Sequence, residues 1–178
     1  MSAVAHDPLS IFEVELVPMK RRHLRSVLRI ETLVYPRPWS LALFLQEISR
    51  RHDRSYNVAR WRNEVIGYSG LIIQGPEAHV TTIAVDPVYH RNGIGMKLMI
   101  EMMDEAIVRG AKSVSLEVRK ANEPAKRMYE RFGFRPIGVR KGYYVETGED
   151  AIVMWVDGID GPGFAKVVQG LREVAGHD

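Results

Sequence analysis

A chain of 178 residues, 46% hydrophobic and 26% charged, fits one compact domain and lies far from the low-hydrophobicity, high-charge composition of disordered chains. It has no cysteine, which excludes a disulfide framework, a thiolate metal site and a cysteine nucleophile. No signal peptide and no apolar run near the ~20 residues of a membrane span are present, so a soluble, cytoplasmic protein without a membrane partner is expected. The net charge of +3 is uneven, residues 19–62 carrying eleven Lys/Arg against three Asp/Glu. Without interleaved stacking aromatics this reads as a solvated face, and direct nucleic-acid binding is not expected.

Phe12 to Val17 alternates as a strand does, and Leu24, Val27, Leu28 and Glu31 then fall at helical spacing, with the first three as the buried stripe. The segment Tyr35-Pro-Arg-Pro-Trp-Ser40 breaks that helix. Ser40 is placed to N-cap a second one, with Leu41, Phe44, Leu45 and Ile48 on one face. Tyr56 to Trp61 and Val65 to Ile73 read as a hairpin around Arg62-Asn63-Glu64, and His79 to Val85 as a further strand stopped at Asp86-Pro87. A glycine-containing loop, His90 to Gly95, leads into a helix from about Met96 to Arg109 closed by Gly110.

Ser113 to Arg119 alternates with Val114, Leu116 and Val118 on one side, so Glu117 points away from the more apolar face. Asn122 is an N-cap for a short helix whose stripe is Ala125, Met128, Tyr129 and Phe132, ended by Gly133. Strands from about Phe134 to Arg140 and from Ala151 to Val156 follow. The fold class is α/β with a mixed sheet. Residues 1–11 read as an N-terminal extension, 12–156 as the domain and 157–178 as a glycine-containing tail. In that tail Phe164, Val167, Val168 and Leu171 form an apolar face, for a helix docked on the domain or for a dimer contact.

A Gly-x-Gly loop between a strand and a helix offers backbone N–H groups and the positive helix end to an anion. It is neither a P-loop, lacking the Gly-Lys-Ser/Thr ending, nor a dinucleotide fingerprint, since Leu98 stands where the third glycine belongs. Its context is more specific. Ile83-Ala-Val-Asp-Pro87 precedes it, and Leu116-Glu-Val-Arg119, Asn122, Tyr129 and Gly133-Phe134 follow. This pattern resembles the GNAT acetyltransferase superfamily. Ile30-Glu31, Pro38-Trp39-Ser40, Tyr143-Tyr144 and Glu149-Asp150-Ala151 resemble its RimI-type ribosomal-protein-alanine N-acetyltransferases, over about residues 12 to 156.

The resemblance implies a splayed central sheet flanked by helices, acetyl-CoA as acetyl donor, and a protein N-terminus, such as that of a ribosomal protein, as acceptor. It places acetyl-CoA against the backbone of Ile83 and Val85, the loop Arg91, Asn92, Gly93, Gly95 and Met96, and Asn122 and Tyr129. It assigns Glu117 as base, Tyr129 as acid to the leaving sulfur, and Trp39, Tyr143 and Tyr144 to the acceptor side. Spacing alone leaves Glu117 a charged residue on a solvated sheet face and Tyr129 a core aromatic. His90 stands where Arg or Gln is usual and Met96 where a basic residue is common, departures for which Arg91 or Lys97 can compensate. His23, His52, His79 and His90 lack metal-ligand spacing, and no metal is expected. The alternatives are acetylation of lysine side chains or a small amine, and a noncatalytic acyl-CoA-binding module. Retention of both Glu117 and Tyr129 argues against the last.

Overall fold

Arg62 and Asn63 both take positive φ, 48° and 70°, the conformation of a tight two-residue hairpin turn. They join β2 (Arg54–Trp61) to β3 (Glu64–Gln74), and Gly75, also at positive φ, turns β3 into β4 (Glu77–Val85). These strands form the centre of a seven-stranded sheet in a computed structural model that describes residues 8–175. The other strands are β1 (Glu15–Pro18), β5 (Ser113–Arg119), β6 (Arg135–Tyr144) and β7 (Glu149–Asp157), in the spatial order β1-β2-β3-β4-β5-β7-β6. Every neighbouring pair is antiparallel except β4 and β5, which run parallel and pair only from Glu77↔Ser113 to His79↔Ser115.

Helices cover both faces. α1 (Leu24–Val34) and α2 (Leu41–Ser49) pack through Val27, Ile30 and Phe44 on Tyr56, Val58 and Tyr68. On the other face α3 (Ile94–Val108) lays Ile94 and Leu98 against Ala59 and Ile66. Gly67 is required there, since a Cβ would stand 3.0 Å from the Ala84 carbonyl and 3.3 Å from Leu98 Cδ1. Further along α3, Met99, Met102, Met103 and Ala106 join Val114, Leu116 and Phe132 in the second half of the core. Phe132 directly follows α4 (Glu123–Arg131).

Two expectations change, and of the two readings of the tail the docked helix is the one seen. Residues 11–13 form a 3-10 turn rather than the start of a strand: Ile11 and Val14 are buried three positions apart while Phe12 stays exposed, a spacing that mimics alternation over a short run. The buried stripe of α1 is Leu24, Val27, Ile30 and Glu31, with Leu28 at its margin. The segment after Asp157 contains α5 (Pro162–Ala175), which docks back on the same core through Phe164, Val168 and Leu171 and is tied by Arg172 to Asp104 of α3. Burying each of those three side chains is worth at most about 1.5–3 kcal/mol, enough to fix a helix of this length. Residues 1–7 of the expected N-terminal extension and residues 176–178 lie outside the described residues.

Candidate active site

Beyond His79 and Ser115 the parallel strands part. Thr81, Ile83 and Val85 of β4 and Leu116, Glu117 and Arg119 of β5 then line a cavity of about 690 Å³ between them. Its remaining walls come from the corner between α1 and α2, the glycine loop, α4 and the end of β6.

The glycine loop is shaped by its own sequence. Buried Asp86 accepts from the Val88 N–H at 3.0 Å and pairs with Arg29 of α1 at 2.7 Å, fixing the exit from β4 to the helix layer. Arg91 and Gly93 take positive φ, 64° and 75°, and Gly93 caps α3. The first N–H groups of α3, at Ile94, Gly95 and Met96, therefore have no intrahelical carbonyl to bind. A Cβ at Gly95 would meet Met128 Sδ at 3.5 Å, ordinary contact, so a bare glycine keeps this approach open.

Of the loop residues singled out in the sequence, Arg91, Gly93 and Gly95 line the cavity. Asn92 turns inward, its side-chain amide donating to the carbonyls of Tyr89 and His90. Met96 is buried in the core under α3. Lys97 points away, to the carbonyls of Ile11 and Val14. His90 folds back so that Nε2 donates to the Val85 carbonyl at 3.0 Å. Tyr35 O–H donates to the Ile83 carbonyl at 2.8 Å. Both β4 carbonyls thus already accept one hydrogen bond, and each retains a second lone pair.

Glu117 commits both carboxylate oxygens: Oε2 lies 3.0 Å from His79 Nε2 and Oε1 3.3 Å from Arg140 Nε. The hydrogen bond from His79 and the nearby charge of Arg140 hold its carboxyl below the usual range, against the opposing effect of burial. Across the cavity wall Tyr129 of α4 is buried. Its ring leans on Phe134 with centroids 5.9 Å apart, and its hydroxyl has no hydrogen-bond partner among the described residues. Burial pushes that phenol upward, so it is a firmly protonated donor. Asn122 lines the cavity and also caps α4, accepting from the Ala125 N–H at 3.3 Å.

Trp39, Tyr143 and Tyr144 all reach the cavity. Trp39 packs at a tilt on Phe44, ring centroids 5.3 Å apart, and its backbone N–H donates to Glu31 Oε1 at 2.9 Å. Tyr143 and Tyr144 lie edge to face at the end of β6, a strand that runs four residues further than its apolar pattern suggests. Burial and its neighbours push the Tyr144 phenol up to about 12.

Sequence reasoning missed four residues that build the site: Glu31 and His79 as buried or bridging partners, Tyr35 on the Ile83 carbonyl, and Arg140 on Glu117. Glu31 carried a signal, an acid at a buried helical position. Its carboxylate receives the Tyr68 hydroxyl as well as Trp39 N–H, and burial raises it nonetheless. For His79 the signal was only its place on the same strand face as Thr81 and Ile83.

A family profile described as "Acetyltransferase (GNAT) family" matches residues 24–134. The chain is 39% identical over 127 residues to the Mycobacterium tuberculosis N-alpha-acetyltransferase RimI, covering 69% of this chain and 78% of that protein. It is 32% identical over 133 residues to the Escherichia coli [ribosomal protein bS18]-alanine N-acetyltransferase, covering 74% and 88%. The crystal structure of the Escherichia coli ribosomal-protein-S18-alanine N-acetyltransferase superposes with a TM-score of 0.74 at 28% identity, over 82% of this chain and 94% of that one. Parted central strands, a glycine loop opening α3 and these matches agree, and the chain belongs to the GNAT family of acetyltransferases, among relatives of the RimI type.

Proposed function

We propose that this enzyme transfers the acetyl group of acetyl-CoA to the α-amine of a protein N-terminus, with an N-terminal alanine of a small-subunit ribosomal protein as acceptor. One observation carries the reading: Glu117 of β5 and Tyr129 of α4 face one cavity, in a gap between strands whose free main-chain edges suit an extended, amide-bearing ligand. The names of the Mycobacterium tuberculosis and Escherichia coli relatives support the N-terminal acceptor, and the second supports alanine.

The residues present fit acetyl-CoA. Its phosphates match the unpaired N–H groups at the start of α3, beside Arg91, where glycine at 93 and 95 leaves the backbone bare. Its peptide-like arm matches the free edge of β4 at Ile83 and Val85. When bound, it supplies the activated acyl group.

The chain's own residues then manage protons and position. An acceptor ammonium must lose a proton before its nitrogen can attack, and an α-amine near pKa ~8 does so far more readily at neutral pH than a lysine near ~10.4. Glu117, kept ionised by His79 and Arg140, accepts that proton directly or through one water. Tyr129, kept protonated by burial, donates a hydrogen bond to the departing sulfur, since complete transfer from a phenol to a thiolate is uphill. Trp39, Tyr143 and Tyr144 flank the incoming terminus.

Incubation with acetyl-CoA and a peptide panel, followed by mass-spectrometric localisation, tests this. Acetylation of the α-amine of alanine-initiated peptides is expected, with N-terminally blocked, lysine-containing peptides left unmodified. Rapid internal lysine acetylation overturns the acceptor assignment.

A further inference from the structure

In sequence order the cations of residues 19–62 read as a solvated face, but the fold gathers part of that set in one place. Arg60 follows Tyr56 and Val58 on the face of β2 that packs against α1. Lys20 lies in the connection from β1, which pairs with β2, to the 3-10 turn Arg21–His23 that runs into α1. Arg22 and Arg25, three positions apart, are exposed on the outer side of this turn and helix, whose inner side buries His23, Leu24 and Val27. His23 marks the convergence. After burial, the charges of Arg22, Arg60 and Lys20 all act to hold its imidazole below the ordinary value.

We propose that Lys20, Arg21, Arg22, Arg25 and Arg60 form a docking surface for the phosphate backbone of RNA, outside the catalytic cavity. The choice of RNA over DNA rests on the ribosomal acceptor proposed above; the basic surface itself does not.

The cations that organise the domain are neutralised. Arg29 pairs with Asp86, Arg50 with Asp53, and Arg54 with Glu47 and Asp53. The five named residues differ: none of them makes an ion pair among the described residues. Arg60 Nη2 donates to a neutral partner, Asn63 Oδ1, at 2.9 Å. Glu15, the register partner of Arg60, is exposed beside it without closing an ion pair, and Glu13 is held by the Trp61 indole N–H at 3.0 Å. Like charges collected in this way repel one another and cost stability until an anion answers them.

The chemistry of the surface favours phosphate. Four of the five side chains are arginine, whose planar fork meets phosphate oxygens bidentately. From residue 13 to residue 32 no large apolar side chain is exposed, so the apolar face with which a helix enters a membrane is missing. An acidic peptide would have to order flexible carboxylate side chains, whereas a phosphate backbone carries its charges at regular spacing. The position suits a tether. None of the five lines the cavity, yet α1 carries Arg25 near its start and cavity-lining Val34 at its end, about 14 Å apart along the axis. RNA seated here leaves the cavity open, and an acceptor bound to the same RNA is presented at raised effective concentration.

The test uses the full-length protein and a fluorescent RNA duplex of about 20 base pairs, read by anisotropy. Affinity should fall steeply with salt, with a log–log slope of about −3 to −5 for that number of neutralised phosphates. Arg22→Glu/Arg25→Glu should weaken binding more than about tenfold and flatten the slope by about two, with free-peptide acetylation and the thermal midpoint near wild type. Arg22→Lys/Arg25→Lys, which keeps both charges, should stay within about threefold. Arg50→Glu/Arg51→Glu, reversing charge at the opposite end of β2, should change RNA affinity by less than about twofold. Where the first double reversal fails to fold, Arg21→Gln and Arg60→Gln should each still weaken binding about two- to threefold and flatten the slope by about one. No measurable binding at low salt, a slope near zero, or an equal loss in both charge-reversal variants overturns the proposal. So does tighter binding of a matched DNA duplex, of polyglutamate or of phosphatidylserine vesicles. Failure of the wild-type protein to acetylate peptides strikes the acetyl-transfer reading instead, and is measured separately.

Discussion

The guanidinium of Arg119 lies 3.8 Å above the ring of Tyr144 while also reaching Glu146 at 2.5 Å and Glu149 at 3.3 Å. One residue at the end of β5 thereby pins the turn between β6 and β7 over the cavity. Arg119→Ala should raise the peptide KM about three- to tenfold, the scale of a partly desolvated cation–π contact, with a smaller change in kcat. Steady-state kinetics against peptide concentration checks this.

Gly95→Glu should weaken acetyl-CoA binding more than about tenfold, since it sets a carboxylate among N–H groups suited to phosphate. Gly95→Ala should stay within about threefold, because its Cβ meets only ordinary contact at Met128 and Val85. Calorimetric titration separates the two, and equal affinities would remove the loop from the binding site.

Tyr129→Phe should lower kcat by about 10²-fold with acetyl-CoA affinity retained. Because the hydroxyl has no partner among the described residues, its removal leaves nothing unsatisfied, and the thermal midpoint should hold or rise. A large loss of stability would show that the phenol serves the core.

Two cavity carboxylates should respond to pH with opposite sign. Glu31 is raised by burial, so its contribution is most favourable in acid and declines as pH rises from the ordinary carboxylate range through its folded value. Glu117 is lowered chiefly by His79, so its contribution is present above the ordinary range and is lost as pH falls through its folded value. Relative to wild type, Glu31→Gln should therefore gain thermal stability as pH rises from about 4 to 7, and Glu117→Gln should lose it as pH rises from about 2 to 5. Melting curves at both ends of each window decide the signs.

Leu171→Ala in α5 should destabilise by about 2–4 kcal/mol, because Leu171 is buried in the shared core. A melting midpoint within a degree of wild type would show instead that α5 is dispensable.

Local pattern carried much of this architecture. The alternation of Leu116 and Val118 about Glu117, the cap at Asn122 and the break at Asp86-Pro87 each act within a few residues, and the corresponding elements lie where those signals put them. The contacts that finish the site are long-range. His79 meets Ser115 across 36 positions and Tyr35 meets Ile83 across 48, through strand register and helix docking that no single segment encodes. β6 misled for a related reason. It lies at the sheet edge with nearly every residue exposed, so no buried face imposed an apolar period on its last four residues. α5 was legible as an amphipathic stripe, but a stripe does not name the surface it covers.

Sheets ordinarily keep their unpaired main-chain groups at the rim, where water satisfies them. The fork between β4 and β5 brings two such edges face to face inside the molecule. Recognition along Ile83 to Val85 is thus written in amide and carbonyl groups that every residue but proline shares. This stretch should tolerate exchange among β-branched side chains with little effect on donor affinity, whereas Val85→Pro or Ile83→Pro, deleting one N–H apiece, should be among the most damaging single changes on the strand.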